Sequence, residues 1–157
     1  MMAPGMSPLA VRSTNRKPNT GDGNTDLVID INGYFAPPGT SGLSLYNVEP
    51  CRVFDSRLPA GAAAVTGLID ENITAGACGI PASAQAFVLN VTAIPVGGLG
   101  FLSLWPQGQQ LPVASTLNSA GAITSNMALV PTTNGSISMF PSDPTHLILD
   151  VSAYFAQ

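Results

Sequence analysis

The sequence predicts an all-β fold, an antiparallel β-sandwich of one module that is preceded by an N-terminal arm and an extra β-strand. Three observations support this prediction. Apolar residues recur at every second position, short turn signals separate these runs, and helical periodicity is nearly absent. Such alternation places one face of each strand on a core, and short strands at regular spacing are typical of sandwiches.

The alternation is clearest in residues 27–35, 87–93 and 136–140. Asn134-Gly135 precedes the third run, and we expect a hairpin there because Asn-Gly readily supplies positive φ at both central turn positions. The alanine-rich segments 60–65 and 82–86 predict at most one short helical turn. The apolar faces of the three runs consist of Leu27, Ile29, Ile31 and Phe35, then Phe87, Leu89, Val91 and Ala93, then Ile137 and Met139.

The composition excludes several classes of protein. Only 9% of the 157 residues are charged, against roughly 25% in an ordinary globular chain. The net charge of −4 leaves no basic patch for nucleic acid, so no nucleic-acid partner is expected. There is no apolar run long enough for a membrane span, and residues 1–12 do not read as a signal peptide. A 45% hydrophobic content argues against disorder.

Two segments of the chain repeat each other at an offset of 120 residues. Residues 25–36 (TDLVIDINGYFA) align without gaps to residues 145–156 (THLILDVSAYFA), and 6 of the 12 positions are identical. A period of this length indicates an array of domains rather than a solenoid of short units. The predicted domains are therefore residues 1–36, an arm plus a strand that echoes the end of a preceding module, and residues 43–157, a complete sandwich module.

The early strand needs a partner. Burying its four large apolar side chains would contribute roughly 6–12 kcal/mol before the entropy cost of ordering, and an uncovered strand would be prone to aggregation. Three arrangements are open: the strand packs on its own module, it is the tail of a preceding module, or it adds to the sheet of a neighbouring copy. The residues of this assembly strand are Leu27, Ile29, Ile31 and Phe35.

Several short segments of the predicted module form a specific pattern. They are Glu49–Arg57 (EPCRVFDSR), Ala77–Ala82 (ACGIPA), Val88–Thr92 (VLNVT), Gly100–Pro106 (GFLSLWP), Ser115–Asn118 (STLN), Ser125-Asn126 and Asp150–Phe155 (DVSAYF). This pattern resembles a repeat domain of large secreted bacterial surface proteins, from which Ser56 and Ala153 depart. The resemblance implies an extracellular β-domain. It implies no activity, because the family has no agreed catalytic residues.

The two cysteines, Cys51 and Cys78, are expected to form a disulfide. An even count in an apolar β-domain of low charge indicates an oxidising compartment. On the chain-entropy relation, closing this loop contributes roughly 3.5 kcal/mol. The alternative is a pair of buried free thiols in a cytosolic protein.

Three residues are candidates for ligand binding. The guanidinium of Arg57 could bind a carboxylate or a sugar, or it could pair with Asp55 or Asp150 and fix strand register. Trp105 and Tyr46 could stack on sugar rings, although the single tryptophan of a sandwich is usually a core residue.

Chemistry and cofactors are not predicted. His146 has no recognisable triad arrangement around it, so no catalytic residue is assigned and the protein is expected not to be an enzyme. Residues Asp22, Asn24 and Asp26 alternate as in a calcium loop, but the required glycine and bidentate glutamate are missing. No metal and no cofactor is therefore predicted.

These observations lead to a function hypothesis. The chain is expected to be a non-enzymatic structural protein of a bacterial surface or filament, extracellular, which associates with other copies of itself head to tail through strand addition by residues 27–35. The alternative is a surface-displayed module that binds carbohydrate or cell wall, with surface glycans as partners.

Overall fold

The computed structural model describes residues 34–37 and 39–157, and this part of the chain contains eight β-strands and no helix. The first three residues of the predicted assembly strand, Leu27, Ile29 and Ile31, lie outside the described residues. The strands are β1 (Ser44–Asp55), β2 (Ile69–Asn72), β3 (Ala86–Pro95), β4 (Leu99–Pro106), β5 (Leu117–Ser119), β6 (Thr124–Pro131), β7 (Ser136–Pro141) and β8 (Thr145–Ala156).

The strands form two four-stranded sheets. The first sheet has the order β1-β8-β3-β6 and the second has the order β2-β7-β4-β5, with antiparallel pairing throughout. The inner faces of the two sheets share one cluster of buried apolar side chains. The predicted all-β sandwich is confirmed.

The period-two runs locate the core. Phe87, Leu89, Val91 and Ala93 on β3 are all fully buried. On β7 the side chains of Ile137 and Met139 are fully buried as well. Each large apolar side chain removed from water in this way contributes roughly 1.5–3 kcal/mol, so these alternating rows supply much of the drive to fold.

The expected hairpin at Asn134-Gly135 is wrong. Gly135 has a positive φ of 80°, as the Asn-Gly signal requires, but β6 before it and β7 after it lie in different sheets. The turn is an arch between layers: the side-chain oxygen of Asn134 accepts the amide of Ser136 at 3.0 Å. An Asn-Gly pair specifies local backbone angles, whereas the pairing of the flanking strands depends on which sheet each can complete.

The two alanine-rich segments contain no helix. Each holds a single turn bond, from the Ala62 amide to the Pro59 carbonyl and from the Ala84 amide to the Pro81 carbonyl, both at 3.0 Å. The prolines that precede these runs start a turn, and no further bond of the helical kind extends it.

Candidate functional site

Strand β8 is the central structural feature of the first sheet, because it pairs with β1 on one side and with β3 on the other. Its residues Leu147, Leu149 and Val151 are fully buried in the core. A strand with neighbours on both sides has no free backbone edge to offer. Without β8, the first sheet would have a groove between β1 and β3 that accepts one apolar strand.

A network of ion pairs fixes β8 to β1. Arg52 lies directly opposite Asp150 in the register, and its Nε donates to Asp150 Oδ1 at 2.9 Å. Its Nη1 also donates to Asp55 Oδ2 at 3.1 Å, so one guanidinium joins two carboxylates. Arg57 donates to the same Asp55 from Nε and Nη2 at 2.8 and 2.7 Å.

Asp55 has the most perturbed acidity in this network. Its side chain is 4% exposed. Hydrogen bonds from the side chain and the backbone amide of Arg57, with the positive charges of Arg57 and Arg52, hold the pKa of its carboxyl well below the ordinary value. The charged form of the carboxylate is therefore favoured, and its bonds to Arg57 connect the end of β1 to the turn that follows.

The predicted ligand residue Arg57 is engaged within the chain. Its planar fork of donors faces Asp55 in a two-bond arrangement. The cross-strand pair is made instead by Arg52, which the sequence reasoning did not select. The sequence did indicate Asp150 as a partner for an arginine, but it was assigned to Arg57 rather than to Arg52.

The lone histidine contacts a buried serine. Ser56 Oγ lies 3.3 Å from Nδ1 of His146 and accepts the amide of Leu147 at 2.8 Å. The Ser56 amide in turn donates to the Leu147 carbonyl at 2.9 Å. Within the part of the chain that the structure describes, no carboxylate hydrogen-bonds this imidazole. The arrangement ties the turn after β1 to the start of β8.

The expected disulfide is present. Cys51 on β1 is bonded to Cys78, which lies in the loop between β2 and β3, with 5.7 Å between their Cα atoms. Both cysteines pack against the apolar core. Disulfides of this kind are typical of proteins that fold in an oxidising compartment.

A cleft of about 380 Å³ opens on the outer face of the second sheet. Asp70, Ser138 and Trp105 form one row across β2, β7 and β4, because each is directly paired with the next. The neighbouring row, which includes Met139 and Leu104, points into the core. The cleft therefore lies on the side of the sheet away from the core.

Five of the eight residues that line this cleft have polar side chains. Ser138 Oγ donates to Asp70 Oδ1 at 2.6 Å, and this bond, followed by one from Gln107, lowers the pKa of the Asp70 carboxyl. Asn134 Nδ2 donates to Gln107 Oε1 at 3.0 Å. A negatively charged acceptor beside two amide side chains suits hydroxyl or amide groups of a ligand.

Trp105 is buried, as expected of a core tryptophan, but it does not belong to the apolar cluster that the two sheets share. The residue is 7% exposed, and it lies on the face of the sheet away from that cluster. Its Nε1 donates to the carbonyl of Gln109 at 2.9 Å, which places the indole beside the turn that follows β4. The expectation of a core tryptophan anticipated its burial but not the face of the sheet on which it lies.

Tyr46 and Arg57 belong to separate places. Tyr46 stacks on Tyr154 near the end of β8, with 5.2 Å between ring centroids, whereas the turn that carries Arg57 contacts the start of β8. Leu147 and Tyr154 are seven positions apart along β8, about 23 Å. Trp105 lies on the other sheet. The three residues do not form one binding site.

Of the four apolar residues that define the assembly strand, Phe35 is the one that is described. Its side chain is 80% exposed, and its ring centroid lies 6.1 Å from that of Phe155 at the end of β8. Tyr34 beside it is 76% exposed. Two large aromatic side chains are thus available to a partner at the end of the sandwich where β1 begins and β8 ends.

Two other features are absent from the described residues. Residues 34–37 and 39–157 contain no cluster of three or more histidine, cysteine or acidic side chains arranged to hold a metal ion. Over the same residues, no helix has the length and apolar character needed to cross a membrane. Asp22, Asn24 and Asp26, the weak calcium pattern, lie outside the described residues.

Comparison with known proteins gave no match, either to a protein-family model, to a curated protein or to a solved structure.

Proposed function

We propose that this protein is a non-enzymatic, extracellular structural protein that associates with copies of itself through strand addition by residues 27–35. The observation that carries the proposal is the environment of β8, whose apolar row is fully buried. Residues 27–35 repeat that row in sequence, so they have the same need for a covered, hydrogen-bonded place in a sheet. The disulfide supports the extracellular assignment.

The acceptor in a complete copy is an edge strand. β8 is already paired on both sides, and β2 and β5 have only 4 and 3 residues, too few to pair with the nine residues 27–35. β1 is interrupted by two register shifts, and such bulges protect an edge from addition. β6 keeps an unbroken register with β3 from Thr124 to Pro131, so it is the better template.

Low charge fits this proposal. The described residues carry two basic side chains, Arg52 and Arg57, and both are used in ion pairs within the module. Contact between copies would therefore rest on backbone bonds and apolar side chains rather than on charge. A head-to-tail contact of this type builds an open filament when its rotation does not close a ring.

The test is the size of the full chain by light scattering at several concentrations. The apparent mass of the parent is expected to rise with protein concentration. The Ile29→Asp variant is expected to stay monomeric and to keep the thermal transition of the parent. Asn32→Asp is the matched control, because it adds the same charge on the opposite face of the strand. A parent that is monomeric at every concentration contradicts the proposal.

The choice of edge has its own test. Met127 on β6 is 64% exposed, and Met127→Lys is expected to weaken assembly because a lysine on an edge strand blocks further pairing. Ile123→Lys is the control, since Ile123 is 70% exposed and lies just outside β6. Equal assembly of both variants and the parent would exclude β6 as the template.

The polar side chains in the cleft on the second sheet support a second candidate function, binding of a neutral saccharide. Asp70, Gln107 and Asn134 offer acceptors and donors for hydroxyl groups, whereas Trp105, which is 7% exposed, leaves little aromatic face for stacking. A glycan array or a cell-wall pull-down tests it. Retention that Asp70→Asn abolishes supports the site, and absence of retention removes this candidate.

A further inference from the structure

We infer that residues 25–36 fit the place of β8, between β1 and β3, in a second module of this kind whose own closing strand is missing or displaced. The inference rests on the proposed function in that the segment is taken to act as a strand. It differs from edge addition because it names a groove, with particular side chains on both walls.

The segment repeats two cross-strand contacts that β8 makes with β1, one ionic and one aromatic. Asp150, the one carboxylate on β8, accepts Nε and Nη2 of Arg52 at 2.9 and 3.3 Å, and the segment has Asp30 at that position. The ring of Tyr154 stacks on Tyr46, and the segment has Tyr34 there. Half of the positions are identical, and they include these two cross-strand contacts to β1.

The buried positions of β8 are also conserved in character. Thr145, Leu147 and Ala156 are buried, and the segment has the same residues at these places. Four other buried positions differ by at most one carbon atom and carry no polar side chain. Volume-conserving apolar exchanges of this size are well tolerated in cores. The four pairs are Ile148 with Val28, Leu149 with Ile29, Val151 with Ile31 and Ala153 with Gly33.

The remaining two differences are compatible with the groove. His146 is replaced by Asp26, which could accept a hydrogen bond from the Ser56 hydroxyl that now contacts the imidazole. Ser152 is half-buried and is replaced by the polar Asn32. No position of the segment would bury a charge or a polar group where β8 has an apolar side chain.

The acceptor must lack its own β8. A complete copy has one groove and two segments that match it, β8 and residues 25–36. If residues 25–36 displaced β8 from the groove, β8 would be uncovered instead, so the exchange would bury no additional apolar surface. Burial therefore favours insertion only where the groove is empty. The partner that fits this description is another module with the β1 and β3 walls of this one.

The first test asks whether the segment fits the groove at all, using the full chain. Six substitutions in β8 convert it to the sequence of residues 25–36: His146→Asp, Ile148→Val, Leu149→Ile, Val151→Ile, Ser152→Asn and Ala153→Gly. This variant is expected to keep a cooperative thermal transition within a few degrees of the parent. Adding Asp150→Arg to it is expected to lower the transition further, because Arg52 would face a like charge. Loss of cooperative folding in the six-substitution variant overturns the inference.

The second test supplies an empty groove. The acceptor is a chain that ends at Pro144 and therefore lacks β8. It also carries Ile29→Asp, so that its own residues 25–36 cannot fill the groove. Refolding it with a synthetic peptide of residues 145–156 provides the reference. The full-length chain is the donor, and it is expected to refold the acceptor when it is added in place of the peptide. Size-exclusion chromatography with light scattering should then show a one-to-one complex of donor and acceptor.

A charge exchange identifies the register. A donor that carries Asp30→Arg is expected to form no complex with the ordinary acceptor, because its arginine would face Arg52. The complex is expected to return when the acceptor carries Arg52→Asp. If the peptide of residues 145–156 refolds the acceptor but the full-length donor forms no complex with it, the inference is overturned. These results do not depend on whether the full chain polymerises by itself, so a monomeric parent would contradict only the proposed function.

Discussion

The bond between Cys51 and Cys78 allows a quantitative prediction. The two residues are 27 positions apart, and on the chain-entropy relation a loop of this length destabilises the unfolded state by about 3.5 kcal/mol. We therefore expect the double variant Cys51→Ala/Cys78→Ala to lose about that much free energy of unfolding. For a module of this length, at about 4 °C per kcal/mol, the thermal midpoint falls by roughly 14 °C.

The assay is urea unfolding of parent and double variant followed by circular dichroism. If the bond acts on the unfolded ensemble, its removal also raises the dependence of the free energy on urea, because the unfolded chain exposes more surface. Reductant should reproduce the loss in the parent and leave the double variant unchanged. A loss below about 1 kcal/mol with an unchanged urea dependence refutes the entropic reasoning and indicates that the bond only restrains the edge strand β1 locally.

Three further predictions concern acid stability, the core and the arch. Because the folded state lowers the pKa of Asp55, its contribution is complete above the unfolded carboxyl pKa of about 3.9 and is lost as pH falls below that value toward the depressed one. Urea unfolding at pH 6 and pH 3 should show a loss at pH 3 that is smaller in Asp55→Asn; an equal loss would exclude Asp55 as its source. Leu149→Ala, at a fully buried position, should cost about 2–5 kcal/mol, whereas Ser152→Ala on the same strand should change stability by less than about 0.5 kcal/mol; similar losses in both would contradict the assignment of the buried row. Gly135→Ala should destabilise by more than about 1 kcal/mol, since φ is 80° and a Cβ would meet the side chain of Thr74. Gly97→Ala, where nothing lies within 4 Å, is its control in the same thermal melts, and a neutral Gly135→Ala would contradict the arch geometry.

Local sequence determined the faces of the strands. The alternation in residues 87–93 and 136–140 identified core side chains correctly, because side-chain direction along a strand depends only on the period of two. The cysteine count likewise anticipated the disulfide, since an even number in an apolar module of low charge leaves few other uses. β1 escaped this reasoning because its burial does not alternate and two register shifts change which side chains face inward.

Tertiary structure decided everything that depends on which strands are neighbours. Asn134-Gly135 fixed a turn but could not specify that it crosses between sheets. Arg52 rather than Arg57 meets Asp150 because the bulges in β1 set the register, which the spacing of charges does not encode. Trp105 has a side-chain direction set by its strand, yet its burial on the outer face comes from long-range packing that no local pattern records. Sequence periodicity carries information over a few residues, whereas these contacts are made between residues far apart in the chain and are decided by the packing of the whole module.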